Sequence, residues 1–173
     1  MTRPTHLAAG AMLLLMAAAC GGTERPASAS EPGSGYRAGS VLVSGVVAPQ
    51  PAGDAPVAVY LTIANDGDEA DTLVAVASGA GDASLHTQEH DAAGGTMRMT
   101  ELSHVAVPAH ATYRLAPGGD HVMITGLTTP LAVGDTLPLV LTFRRAGPLP
   151  VAAHVLTYAA LEQALDSTAH AGY

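Results

Sequence analysis

From Val41 to Val155 the chain never sustains an apolar repeat of helical period; it offers short apolar runs broken by Gly, Pro, Asn and Asp. The clearest run is Val57–Ala64, closed by Asn65-Asp66-Gly67-Asp68. Strands are expected at Val41–Val47, Val57–Ala64, Thr72–Ala77, Ser84–Gln88, Thr96–Leu102, His104–Val107, Thr112–Leu115, His121–Thr125, Leu137–Phe143 and Pro150–Val155. Many short strands at this spacing predict an all-β fold, an antiparallel sandwich or barrel. A short helix is expected only after Leu156, over Leu156–Leu165, with a mobile tail to Tyr173.

The side chains available for a core are small. The apolar fraction of 48% is carried by Ala, Val and Leu, with no Trp and one Phe, Phe143. The formal net charge is −8, and all seven basic residues are Arg. A chain without a basic patch is a poor match to nucleic acid, so no nucleic-acid partner is expected.

The only cysteine is Cys20, so no intrachain disulfide can form. Residues 1–19 have the shape of a signal peptide, with Arg3 followed by an apolar stretch too short for a comfortable membrane span. That stretch ends Ala17-Ala18-Ala19-Cys20-Gly21-Gly22, which resembles a bacterial lipoprotein signal with Cys20 as the lipidated residue. Acyl chains would hold the protein at a membrane without spanning it. Gly21 replaces the Asp that often signals inner-membrane retention, which leans towards the outer membrane. Residues 20–40 are rich in Gly, Ser, Pro and Ala and are expected to form a flexible linker, with an end-to-end distance of about 25 Å. The folded domain is expected over 41–155 and the tail over 156–173.

Beyond the signal, the only methionines are Met97, Met99 and Met123. Residues two apart on a strand share a face, so Met97 pairs with Met99 and His121 with Met123. His86 lies across the loop Asp91–Gly95 from the methionine pair, and Pro117-Gly118-Gly119 makes a tight turn into His121. Thioether and imidazole form a soft, neutral donor set that suits Cu(I) better than Mg, Ca or Mn. Methionine is also ordinary core filler, and a lone His-x-Met usually reflects packing. Here, however, methionine is absent from the rest of the mature chain.

The spacing resembles that of the periplasmic copper chaperones called PCuAC, a cupredoxin-like β-sandwich (Ig-like) family. Its motif is His, ten residues, Met, twenty-one residues, His-x-Met. Twenty-one residues separate Met99 from His121-Val122-Met123, while twelve separate His86 from Met99. The extra two residues fit in the Asp91–Gly95 loop. Met97 would keep the first spacing but break the second, so Met97 is a reserve ligand and His90 the fallback for His86. Val59–Asp71 and Gly134–Phe143 also resemble the family, and the likeness covers Val41 to Val155. An aromatic motif near the start of many members is reduced here to Val46-Val47-Ala48-Pro49.

The resemblance implies a non-enzymatic copper chaperone in the periplasm or cell envelope. It would bind one Cu(I) through His86, Met99, His121 and Met123 and deliver it to a copper-accepting protein, an oxidase subunit or another copper chaperone. The implied end point is a respiratory oxidase copper centre. The alternative is a non-metal Ig-like envelope interaction module. A blue-copper electron carrier needs a thiolate in the domain, and Cys20 lies outside it. His104, His110, His154 and His170 are expected at the surface; His170 is the tail's one candidate for Cu(II). Asp66, Asp68, Glu69 and Asp71 lack a distal bidentate Glu and are expected as turn formers on a solvated face rather than a calcium loop. No Gly-x-Ser-x-Gly elbow surrounds any serine.

Overall fold

Alternation along a single strand sets the geometry. In Val57–Asn65, residues Val57, Val59, Leu61, Ile63 and Asn65 are buried while Ala58, Tyr60, Thr62 and Ala64 are half-buried. A computed structural model describes residues 35–90 and 97–170. Its strands are β1 (Tyr36–Ala38), β2 (Val41–Pro49), β3 (Val57–Asn65), β4 (Asp71–Ala77), β5 (Asp82–His90) and β6 (Met97–Leu102), then β7 (Val105–Val107), β8 (Ala111–Leu115), β9 (His121–Thr125), β10 (Thr136–Phe143) and β11 (Gly147–Leu156). One helix follows, α1 (Tyr158–His170). Cys20, the signal, most of the linker and the Asp91–Gly95 loop lie outside the described residues.

The hydrogen-bonded path runs β6-β5-β9-β3-β2-β11-β10-β4-β7, with β1 beside β2 and β8 beside β3. Pairing is antiparallel except between β11 and β2, where His154–Leu156 run parallel to Val47–Pro49. The path folds over itself into a cupredoxin-like β-sandwich. Residues far apart along it, Leu85 of β5 and Leu73 of β4, enter the same core with Phe143, Leu61 and Ile63. β3 is the hinge of the arrangement: Val57–Val59 pair with β9, and Leu61–Asn65 pair with β8. On its other edge β3 pairs with β2, whose register shifts between Ser44 and Val47. Gly45 sits there at φ 60°, a left-handed conformation that glycine adopts without steric cost.

Four expectations need correction. The flexible linker does not extend to Ser40, because Tyr36–Ala38 pair with Val41–Val43 and the Tyr36 hydroxyl donates to the Ala152 carbonyl. The helix starts two residues later and runs further than expected: Leu156 ends β11, Thr157 caps α1 through Ala160 N–H, and Leu161 is buried against the sheet. His154 is half-buried rather than exposed, since β11 lies between β2 and β10 with His154 opposite Val47 and Thr136.

Asp71 is the fourth. It is not on a solvated face but 3% exposed. Its carboxylate accepts from the backbone N–H groups of Thr72 (2.7 Å), Arg145 (2.9 Å) and Ala146 (2.9 Å), fastening the β10–β11 turn to β4. Burial alone would raise the Asp71 pKa, but these donors outweigh it and hold the carboxyl below its ordinary value. Buried Asn65 does similar work, its Nδ2 donating to the carbonyls of Glu69, Val107 and Pro108. No helix among the described residues is long and apolar enough to cross a membrane.

Candidate metal centre

Strand register brings the soft donors to one sheet face. β5 and β9 are antiparallel, with His86 opposite His121 and Ser84 opposite Met123. β5 and β6 are antiparallel, with Gln88 opposite Met99 and His90 opposite Met97. Period-two geometry then puts Ser84, His86, Gln88, Met97, Met99, Glu101, His121 and Met123 on the same face. The other face of the same strands carries Leu85, Val122 and Ile124 into the core. Met99 and Met123 each lie one diagonal step from His86, on opposite sides of the imidazole pair.

The two imidazoles are stacked, with ring centroids 6.1 Å apart and planes inclined at 24°. His121 is 2% exposed, and its Nδ1 lies 3.0 Å from the Gly119 carbonyl. A carbonyl only accepts, so Nδ1 carries the proton and Nε2 keeps its lone pair. The same carbonyl takes the Gln88 backbone N–H at 3.3 Å, tying β5 to the approach to β9. His86 is arranged the other way round. Its Nε2 is 2.9 Å from Ser84 Oγ, and its buried Nδ1 has no hydrogen-bond partner among the described residues. A buried polar atom without a partner is costly unless something absent from the chain satisfies it.

The turn before His121 explains this precision. Gly119 N–H returns to the Ala116 carbonyl, with Pro117 and Gly118 (φ 79°) at the centre, the residues a type II turn requires. Ala116 N–H reaches the Asp120 carbonyl at 2.8 Å, and the Tyr113 hydroxyl donates to the Asp120 carboxylate. Burial first, then the hydrogen bond to Asp120 and then its charge, push the Tyr113 hydroxyl up to about 12. On the other flank of His121 stands Tyr60, at 6.4 Å between ring centroids, its pKa raised by burial and then by Tyr158.

Among the described residues no three His, Cys, Asp or Glu side chains converge to hold a metal. The donors that share this face with the two imidazoles include the thioethers of Met97, Met99 and Met123. Met97 and Met99 are 53% and 45% exposed, so they are not core packing. The donor chemistry and the unpartnered His86 Nδ1 both fit a soft ion. His90 pairs in register with Met97, and its side chain is outside the described residues, as is that of His170. His104 and His110 are exposed, His110 facing Asp68 at 3.0 Å. Sequence reasoning missed Ser84, Tyr60 and the Gly119 carbonyl; a serine two residues before a histidine on a strand was the one available signal.

The strand order and pairing define a PCuAC-type β-sandwich. The chain belongs to the family described as "Putative lipoprotein LpqE-like", which it matches over residues 41–155. It is 34% identical over 159 residues to the "Putative lipoprotein Lxx21020" of Leifsonia xyli subsp. xyli, covering 90% of this chain and 93% of that one. Among solved structures it resembles the apo PCuAC domain from PmoF1, with TM-score 0.60 and 29% identity, covering 72% of this chain and 99% of that domain. It also resembles the Cu(I) form of DR1885 from Deinococcus radiodurans, with TM-score 0.53 and 27% identity, covering 76% and 83% of the two chains.

Proposed function

We propose that this protein is a cell-envelope copper chaperone, not an enzyme, binding one Cu(I) through His86, Met99, His121 and Met123. The observation that carries the reading is the His86–His121 pair. Two imidazoles meet across one strand pair, each with an uncommitted nitrogen, and a methionine stands one diagonal step to either side. His121 would donate through Nε2 and His86 through Nδ1, the nitrogens their partners leave available. Met97 and His90 stand as reserve donors. The Cu(I)-bound state of DR1885 supports the choice of metal and oxidation state.

Delivery follows from the donor set. Four neutral ligands leave the ion's single charge on a partly exposed face, where a partner's donors can replace thioethers one at a time. The recipient is proposed to be a copper-accepting protein, an oxidase subunit or a second chaperone, with lipidated Cys20 holding the carrier at the membrane, the outer membrane preferred. Cu(II) binding by His170 remains a secondary proposal.

The test is anaerobic titration of the domain with Cu(I) against a chromogenic Cu(I) chelator, beside a Met99→Leu/Met123→Leu double variant. One tight equivalent that the double variant loses supports the site. A wild-type domain unable to compete with the chelator overturns it and favours the non-metal envelope module.

A further inference from the structure

The sulfur and nitrogen donors on this face form a ladder rather than a cluster. Counted along β5, Met123 stands opposite Ser84, His121 opposite His86, Met99 opposite Gln88 and Met97 opposite His90. Successive rungs are two residues apart, about 6.8 Å along the strand. From the imidazole pair towards the hairpin end exposure rises, from 2% at His121 to 45% at Met99 and 53% at Met97, while Met123 at the other end is half-buried. An ion held by both imidazoles has Met99 one rung away and Met97 two rungs away. Met97 is therefore out of range of a seated ion and in range of one displaced towards the hairpin end.

We infer that Met97 is a transient donor that passes copper to and from the seated position, setting the rate of exchange rather than the affinity. The inference rests on the copper reading above. Each step is a ligand substitution. The Met97 sulfur donates a lone pair to the ion as the Met99 copper–sulfur bond lengthens; the ion stays Cu(I), and no proton or electron is transferred. Because both sulfurs are neutral thioethers of equal softness, the ion can move between them with no change in net charge.

The experiment is stopped-flow transfer of Cu(I) from the loaded domain to a chromogenic chelator, with equilibrium affinity measured in parallel for wild type, Met97→Leu and Met99→Leu. Leucine keeps volume and removes only the sulfur. Met97→Leu is expected to leave affinity within about twofold and to slow transfer about tenfold, equivalent to about 1.4 kcal/mol of barrier. Met99→Leu is expected to lose affinity. Transfer from Met97→Leu at the wild-type rate overturns the inference while leaving the copper site standing. A loss of affinity in Met97→Leu equal to that of Met99→Leu overturns it too, by making Met97 a resident ligand. A wild-type domain that binds no Cu(I) removes both the inference and the reading beneath it. Unfolding midpoints of the variants separate any of these from a folding defect.

Discussion

Tyr113 donates its hydroxyl to the carboxylate of Asp120, the residue immediately before His121. This single bond ties β8 to the turn that aims His121, and so connects a residue outside the donor ladder to the orientation of one imidazole.

Removing that hydroxyl should be felt at the site. Tyr113→Phe leaves Asp120 without its donor and is expected to cost about 1 kcal/mol of stability. With its pKa raised to about 12, folded Tyr113 favours the neutral phenol. Its contribution is therefore whole below pH 10, the unfolded value, and is lost as pH rises towards 12. Ultraviolet titration of phenolate should show one late-ionising tyrosine that the variant lacks; an unchanged titration would mean that the bond does not form in solution.

The proposed ligands should separate from the fold. His121→Ala and Met123→Ala are each expected to weaken Cu(I) binding by at least about 100-fold. Met123→Ala should leave the unfolding midpoint near wild type, since Met123 is only half-buried. Unchanged affinity in both variants would dismiss the assignment of these residues.

Ser84 offers a subtler test. Its hydroxyl holds His86 Nε2 at 2.9 Å, and outer partners of metal-binding histidines commonly matter about 10–100-fold in affinity. Ser84→Ala should lower Cu(I) affinity within that range with little change in stability. Competition against the chelator at fixed pH gives the answer, and full wild-type affinity would show that packing alone orients His86.

Asp71 should govern acid stability instead. Its carboxyl is held below the ordinary value, so its contribution is present above the unfolded pKa and lost as pH falls through the lower folded one. Asp71→Asn is expected to lose about 1–3 kcal/mol at neutral pH and to show a weaker loss of stability in acid than wild type. Urea unfolding between neutral and acid pH checks both; parallel pH profiles for the two proteins would contradict the account.

What the sequence discloses follows from the range of the interaction involved. Alternation in Val57–Asn65 and His121–Thr125 is local, and those strands are legible from it. β1 is not, because Tyr36–Ala38 is three residues long and is held by pairing with β2. The run Asp66, Asp68, Glu69, Asp71 reads as four equivalent surface carboxylates; what singles out Asp71 is backbone from Arg145 and Ala146, more than seventy residues away. Strand parity leaves Met97 and Met99 on the same footing, since both face His86, and the twenty-one-residue interval to His121 is what favours Met99 in the sequence. The pairing of Gln88 with Met99 adds that Met99 is the nearer of the two to His86. Parity also explains why twelve residues between His86 and Met99 can replace ten: lengthening a hairpin by two preserves the face, whereas lengthening it by one would invert it.

β9 carries core and donor residues alternately: His121 and Met123 outward, Val122 and Ile124 inward. A slip of one residue would send the imidazole and thioether into the hydrophobic interior and turn valine and isoleucine to the outer face. Under the copper reading proposed above, a copy misthreaded at β9 keeps His86 and Met99 but loses His121 and Met123, so the register of one strand decides whether the full donor set assembles.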